Sequence, residues 1–255
     1  MTYELLLNKI ERSKELDFGF IFDQVIDLFK KVYLKGFLTL LIVVVFAFAI
    51  NICFTLIGLA PKNDFLTEGF DIDLFYQFWT MNIIYSIPQT ILMTTISMVF
   101  VAGFYRICKQ IDMGEKGDDD YFFFFKKVYF SKLLTLGMIS TGISVVAQLL
   151  FVIPSVYVFV PLSYFTIIFA NNPDLSEIEI VKASFKLGNK KWFLSFGLMF
   201  LFGLIGALGI ILCFVGVLFT ISVVYLPAYF IYKEVIGYED NNEIEQIGVR
   251  DNLDY

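Results

Sequence analysis

Six apolar segments in the sequence are close to the length that a helix needs to cross a lipid bilayer, which is about 20 residues. They are Phe37–Leu59, Ile83–Tyr105, Leu133–Val152, Ser155–Ala170, Phe193–Leu212 and Val215–Tyr232. Hydrophobic residues make up 58% of the chain and charged residues only 17%, a balance that excludes an ordinary soluble domain. The sequence therefore predicts an all-α integral membrane protein with six transmembrane helices.

The spacing of these segments predicts that the six helices form three hairpins. Only Ile153 and Pro154 separate the third segment from the fourth, and only Cys213 and Phe214 separate the fifth from the sixth. Turns this short bring consecutive helices side by side. The distribution of apolar and charged segments divides the chain into a charged N-terminus over residues 1–17, a membrane domain over 18–236 and an acidic tail over 237–255.

The distribution of Lys and Arg predicts the orientation of these spans. All but one of the 19 basic residues lie before the first segment, between the second and third, between the fourth and fifth, or after the sixth. The exception is Lys62, which stands in an acidic loop. Because basic loops remain in the cytoplasm, both termini are predicted to be cytoplasmic. The first 31 residues lack the apolar core of a signal peptide, so we expect no cleavage there.

A pair of lysines followed by an aromatic residue occurs at three predicted cytoplasmic ends of helices. Lysine reaches toward lipid phosphate and Tyr or Trp lies at headgroup level, so these residues are predicted to anchor the protein at the membrane interface. The predicted anchors are Lys30, Lys31, Tyr33, Lys126, Lys127, Tyr129, Lys190, Lys191 and Trp192.

Each hairpin is further predicted to follow an amphipathic helix that lies along the cytoplasmic membrane surface. Apolar residues at helical spacing predict the first over 18–32, and the second, less regular, is placed around 121–125. Ser176 and Glu179 form a capping-box pattern for the third. That helix is predicted to run to about Leu187, with Gly188 ending it.

The residue types available for chemistry are few. The chain has no histidine, its three cysteines are far apart, and no Asp, Glu, Lys or Arg lies in the middle of a predicted span. Metal or cofactor binding, ion-coupled pumping and intramembrane proteolysis are therefore not expected. We predict a protein that is not an enzyme and that has no cofactor. Its expected partners are the lipid bilayer and other inner-membrane proteins, with no nucleic acid.

Neutral polar residues in the second and third spans allow two interpretations. They join helices through hydrogen bonds, or they form a polar seam that admits a lipid headgroup or a peptide. The candidate seam residues are Asn82, Gln89, Thr94, Ser140, Ser144 and Gln148.

Four stretches of the second half carry a resemblance to a bacterial family. They are residues 169–176, 181–187, 190–192 and 225–232. The pattern resembles the membrane domain of some glycerophosphodiester phosphodiesterases and its stand-alone relatives of unknown function. The resemblance implies a multi-pass protein of the bacterial inner membrane, and it implies no hydrolytic activity because the phosphodiesterase domain is missing. Similar proteins of Bacteroidota are often labelled β-carotene 15,15′-monooxygenase, but carotenoid-cleaving enzymes hold iron with histidines and this chain has none.

Two functions are consistent with these observations. The first is a non-enzymatic scaffold or accessory subunit of a membrane assembly, which the lack of catalytic residues and the repeated interfacial anchors favour. The alternative is a permease that handles a lipid or a small molecule through the polar seam between the second and third spans.

Overall fold

The computed structural model describes residues 1–59, 72–115 and 117–238, and within them the side chains of all residues except 72–82 and 211–215. These residues form helices and connecting turns, with no β-strand among them. The helices are α1 (Tyr3–Arg12), α2 (Phe18–Leu56), α3 (Ile72–Met113), α4 (Lys127–Leu149), α5 (Val152–Asn171), α6 (Glu177–Lys190), α7 (Trp192–Ala207), α8 (Cys213–Thr220) and α9 (Leu226–Val235). Short 3₁₀ turns occupy Phe123–Phe125, Leu208–Leu212 and Ile221–Tyr225.

Six helical stretches within the described residues are long and apolar enough to cross a membrane, which confirms the predicted all-α class and the predicted number of candidate spans. They are Phe18–Leu56, Ile83–Met113, Lys127–Leu149, Val152–Asn171, Trp192–Ile210 and Gly216–Val235.

The first amphipathic segment is not a separate interfacial helix, which corrects the prediction for residues 18–32. It is the first part of α2, a continuous helix of 39 residues. The Asp17 side chain caps its start by accepting a hydrogen bond from the Phe20 N–H at 2.7 Å. The residues between this segment and the span include no proline, and their single glycine, Gly36, is tolerated inside a helix. The helix therefore continues without a stop. The apolar face packs against the protein's own core through Ile21, Val25, Leu28 and Val32, all of which are buried.

The second predicted interfacial helix is also corrected, since the described residues around it form only the 3₁₀ turn Phe123–Phe125. Phe124 is fully buried, and its ring lies 5.4 Å from the Phe169 ring and 5.3 Å from the Tyr129 ring. Consecutive phenylalanines cannot share one helix face, so the chain turns and directs Phe124 into the core.

The third amphipathic segment forms α6, and its capping box is confirmed. The Ser176 side chain accepts from the Glu179 N–H, and the Glu179 carboxylate accepts from the Ser176 N–H at 2.8 Å. The Ser176 N–H and the Ser176 hydroxyl both donate to the Glu179 carboxylate, and these two bonds hold the pKa of Glu179 below its usual value. The prediction that Gly188 ends the helix was wrong, because α6 continues to Lys190. Gly188 instead lets α6 approach α5 closely, since a Cβ there would lie 2.7 Å from the Pro161 Cα.

The N-terminal segment contains a helix that the sequence analysis treated only as a charged terminus. Leu6 and Ile10 stand four residues apart on one face of α1, and both are fully buried in the main core. The charged side chains of α1 lie around that face. The segment is therefore part of the packed structure.

The sixth apolar stretch is interrupted. The chain passes from α8 through the Ile221–Tyr225 turn into α9, which has Pro227 in its first turn. Proline has no N–H to donate to the carbonyl four residues earlier, and the Val223 carbonyl instead accepts from the Leu226 N–H. The turn packs against α7 and α2, where Ile221 lies against Gly206 and Ser222 against Gly36.

Exposed apolar side chains are concentrated on part of the surface. The second half of α2 exposes Val45, Phe48 and Leu56, the last two by 68% and 81%, and the α4–α5 turn and α7 expose further examples. The first half of α2 buries Ile21, Val25, Leu28 and Val32 on one face and exposes Phe18, Phe20 and Leu34 on others, whereas α9 buries nearly all of its apolar residues. An apolar surface of this extent is what a lipid bilayer covers.

Candidate functional site: a polar-lined cavity among the spans

A cavity of about 630 Å³ lies among α3, α4, α5, α7, the Ile221–Tyr225 turn and the start of α9. The break in the last span helps to form it, because Ile221, Val224 and Tyr225 face the space from the 3₁₀ turn. Much of the wall is apolar and flexible, with Met93, Met98 and Met199 among the lining residues. Methionine adapts to irregular ligands better than branched side chains do.

The polar groups of the cavity are all uncharged among the described lining residues. The hydroxyl and amide residues are Thr94, Ser97, Ser140, Ser144, Gln148, Ser155, Ser163 and Thr166, joined by Tyr105 and Tyr225. Some hydroxyls are satisfied locally, since Ser155 donates to the Phe151 carbonyl at 3.1 Å and Ser163 to the Val160 carbonyl at 2.7 Å. A hydroxyl that donates to its own helix keeps lone pairs for a ligand donor.

One end of the cavity is open and the other is closed. Gln148 and Phe159, on either side of the α4–α5 turn, are exposed. Tyr105, Thr166 and Ala228, at the opposite end, are buried. The Tyr105 hydroxyl donates to the Tyr225 carbonyl at 3.1 Å and thereby joins α3 to the last 3₁₀ turn. Among the described lining residues, the exposed ones therefore lie beside the α4–α5 turn and the buried ones lie near the last 3₁₀ turn.

A set of polar contacts fixes the helices beyond the closed end. Asp112 accepts on one carboxylate oxygen from the Tyr229 hydroxyl at 2.8 Å and from the Lys233 ammonium at 2.7 Å. The Asn172 amide donates to the Tyr232 hydroxyl at 2.7 Å. These bonds connect α9 to α3 and to the end of α5. Opening the pocket at this end would require breaking them.

The structure brings four of the six candidate seam residues to this cavity: Thr94, Ser140, Ser144 and Gln148. Gln89 does not line it, and its buried Oε1 has no hydrogen-bond partner among the described residues. The side chain of Asn82 lies outside the described residues.

The sequence analysis missed the contribution of α5, whose hydroxyl residues form the facing wall. Ser155, Ser163 and Thr166 all line the cavity, together with Phe159 and Leu162. At 100° per residue these positions fall on one face of a helix. That periodicity was visible in the sequence and would have extended the predicted seam to the fourth span.

Two of the three predicted anchor groups lie at the surface. Lys30, Lys31 and Tyr33 are exposed, and Lys30 forms an ion pair with Asp27 at 3.0 Å. The second group is Lys126, Lys127 and Tyr129. Both of its lysines are exposed, whereas Tyr129 is half-buried with its ring 5.6 Å from that of Phe123.

The third group, Lys190, Lys191 and Trp192, contacts the protein's own backbone. Lys190 donates to the Glu11 carbonyl, and Lys191 donates to the Lys14 carbonyl. The Lys191 side chain is buried, which lowers its pKa by desolvation, with a smaller contribution from the neighbouring Lys190. The Trp192 indole donates to the Tyr157 carbonyl at 3.1 Å. These bonds attach the N-terminal segment and α5 to the start of α7.

An ion pair between Glu11 and Lys186 adds to the attachment of α1 to α6. The hydrogen bond and the charge of Lys186 hold the pKa of Glu11 below its usual value. Together with the contacts of Lys190 and Lys191, this pair attaches the end of α1 and the residues after it.

The described residues contain no group of three or more His, Cys, Asp or Glu side chains able to hold a metal ion. Cys53 is exposed and Cys108 is buried, and neither forms a disulfide. The part of the chain for which side chains are described therefore offers the cavity, and not a metal centre, as its candidate site.

No family model, no curated protein and no solved structure matches this chain. The resemblance to the membrane domain of glycerophosphodiester phosphodiesterases therefore stays a prediction.

Proposed function

We propose that this protein is a non-enzymatic multi-pass protein of a bacterial inner membrane that binds an uncharged amphiphilic molecule, such as a neutral lipid, in the cavity beside α4 and α5. We place its six spans as three hairpins with both termini in the cytoplasm, on the basis of the Lys and Arg distribution. The observation that carries the proposal is a cavity of about 630 Å³ whose described lining combines apolar walls with many hydroxyls and no charge.

The lining supports an uncharged ligand. A charged group taken from water into this cavity would meet no described side chain of opposite charge, and burial of an unpaired charge is costly. A hydroxyl, ester or amide would find donors and acceptors in Ser140, Ser144 and Gln148. The volume lies within the range of about 300–1,000 Å³ that is usual for small-molecule sites.

The position of the opening supports entry from the bilayer. Leu150, Phe151, Val152 and Ile153 surround the α4–α5 turn, and each exposes more than half of its surface. An apolar rim of this kind favours a lipid chain over a water-soluble solute. The buried lining at the other end, formed by Tyr105, Thr166 and Ala228, supports binding or lateral transfer over a transmembrane pore, which would need an opening there.

A photoactivatable diacylglycerol analogue tests the proposal. Ser144→Phe fills the cavity, while Thr135→Val removes a hydroxyl elsewhere on α4 that bonds the Ser131 carbonyl at 3.2 Å. We expect the analogue to label α4 and α5 peptides in the parent protein and in Thr135→Val, and to lose most of that labelling in Ser144→Phe. Equal labelling in all three proteins would contradict the proposal.

An accessory role in a membrane assembly is the second candidate. The most apolar 18-residue window of α2 is only 11% buried, against 33–67% for the other five candidate spans. A photo-crosslinking residue at Val45 or Phe48 distinguishes a protein neighbour from lipid. A stoichiometric protein adduct supports the accessory role, whereas lipid adducts alone argue against it.

A further inference from the structure

A second cavity, of about 610 Å³, lies between α1 and the end of α9. Residues of α1 and the segment after it form one wall, and residues 233–237 form the other. It shares no described lining residue with the cavity among the spans. The proposed function makes no use of it.

The lining of this cavity is strongly basic. Lys9, Arg12, Lys14 and Lys233 all face it, and Glu234 is the only acidic side chain among the described lining residues. The excess of positive charge is concentrated on the α1 wall. Such a surface attracts anions.

Two of the four cations are already engaged. The Lys9 ammonium donates to the Ile236 carbonyl at 2.8 Å, and the Lys233 ammonium is paired with Asp112 at 2.7 Å. Lys9 thus fixes one wall to the other and Lys233 is largely neutralised.

The structure gives the Arg12 guanidinium and the Lys14 ammonium no hydrogen bond or ion pair with any described residue. They stand two residues apart beside Asn8 and Ser13, which add neutral polar groups to the wall. Both side chains are exposed, and two unpaired cations at one cavity attract an anion from solution or from a membrane surface.

We infer that this cavity binds a phosphate monoester, with Arg12 and Lys14 as its principal ligands. A phosphate dianion matches the two charges, and the planar Arg fork bonds two phosphate oxygens at once while lysine acts as a point charge. The volume suits a headgroup rather than a folded domain. The phosphate comes either from the headgroup of an anionic lipid or from a soluble phosphate compound, and both present the same group.

Binding at this position has a structural consequence that can be measured. A phosphate held by Arg12 and Lys14 beside residues 235–237 joins α1 to the end of α9, next to the contact between Lys9 and Ile236. Ligand binding should therefore slow amide hydrogen exchange in α1, since exchange there requires that the helix detach.

The test compares the double variant Arg12→Gln/Lys14→Gln with Lys30→Gln/Lys31→Gln. Both pairs are exposed and both variants lose two positive charges, but only the first pair lines the cavity. The first variant keeps the Lys14 carbonyl that Lys191 contacts, and the second loses only an exposed ion pair, that of Lys30 with Asp27. The proteins are placed in nanodiscs of phosphatidylcholine alone, in the same nanodiscs with added inorganic phosphate, and in nanodiscs containing phosphatidic acid.

We expect phosphatidic acid to protect residues 3–12 from exchange in the parent protein and in the Lys30/Lys31 variant. The apparent affinity should fall about 30-fold in the Arg12/Lys14 variant, or about fivefold for each charge removed. Protection by phosphatidic acid alone assigns the site to a lipid headgroup, and protection by inorganic phosphate as well assigns it to soluble phosphate.

Any of three results would overturn the inference. The first is that neither probe protects α1 in the parent protein, and the second is that both double variants respond alike. The third is that α1 is already protected without a probe and loses this protection when Glu239→Gln and Asp240→Asn neutralise the start of the tail, which would make the tail the occupant. The diacylglycerol labelling of the first cavity does not depend on this outcome.

Discussion

Replacement of Gly188 by alanine should separate α6 from α5. The added Cβ would lie 2.7 Å from the Pro161 Cα and 3.0 Å from the Pro161 nitrogen, whereas carbon atoms in contact normally lie about 3.5–4.0 Å apart. Both contacted atoms belong to the backbone, so no rotamer change can relieve the overlap. The helices must move apart by about 1 Å.

The expected cost follows from two opposing effects. Overpacking in a well-packed interior costs about 1–3 kcal/mol, and a backbone contact places this site toward the upper value. Alanine in a helix interior is favoured over glycine by about 1 kcal/mol. The net loss in free energy of unfolding for Gly188→Ala is therefore about 2 kcal/mol.

Gly142→Ala provides the control because nothing lies within 4 Å of its added Cβ on α4. This variant should gain about 1 kcal/mol from helix propensity. Equilibrium unfolding by SDS in mixed micelles measures both variants, and we expect them to differ by about 3 kcal/mol. If Gly188→Ala is as stable as Gly142→Ala, the close packing of α6 on α5 is refuted.

Three further predictions concern other contacts. The pKa of Glu11 is lowered by Lys186, so the stabilisation of α1 is present above the unfolded-state pKa and is lost as the pH falls below it. The protection factors of residues 3–12, which are exchange rates corrected for the intrinsic effect of pH, should then fall modestly on acidification, and Glu11→Gln should lower them by a similar amount already at neutral pH. Lys132→Met removes the hydrogen bonds that the Lys132 ammonium donates to the Pro173 and Leu175 carbonyls at 2.6 and 2.9 Å. This variant should lower the free energy of unfolding by about 2 kcal/mol, whereas the control Lys127→Met should change it little. Val25→Asp places a carboxylate in the core, and it should lower the free energy of unfolding of the whole protein by roughly 3 kcal/mol or more in the same SDS assay. If residues 18–32 lay on the membrane surface instead, the variant would show only local proteolysis of that segment.

Local signals in the sequence were sufficient where the structure is decided by neighbours along the chain. The capping box of Ser176 and Glu179 fixes the start of α6 through two hydrogen bonds within four residues. The six apolar stretches are likewise properties of single segments. Their number agrees with the structure for this reason.

These local patterns do not determine which distant segments of the chain pack together. Gly188 is a common helix-ending residue in isolation, but its role is set by Pro161, which lies 27 positions earlier in the chain. The apolar face of residues 18–32 has the same pattern whether lipid or α7 covers it. The stacking of Phe22 on Phe202 at 5.0 Å shows that α7 covers part of it.

The candidate cavity was predicted in part. Polar residues of the second and third spans indicated a seam, and four of the six line the cavity. The wall formed by the Ile221–Tyr225 turn depends on the break before Pro227, which brings Tyr225 toward Tyr105. Proline signals that a helix is interrupted, but it does not specify which space the interrupted turn will face.

The length of α2 gives the molecule a mechanical property. At 1.5 Å per residue its 39 residues form a rod of about 58 Å, roughly twice the thickness of the hydrocarbon core. Near its midpoint, Gly36 is in close contact with Ser222, and Phe37 stacks on Phe219 with ring centroids 3.9 Å apart. These contacts lie between two arms of nearly equal length, and Ile21, Val25, Leu28 and Val32 hold the first arm in the core. If the helix stays straight, a tilt of about 10° about these contacts moves each end by about 5 Å in opposite directions, so the second arm reports at Leu56 any movement of the core around the first arm.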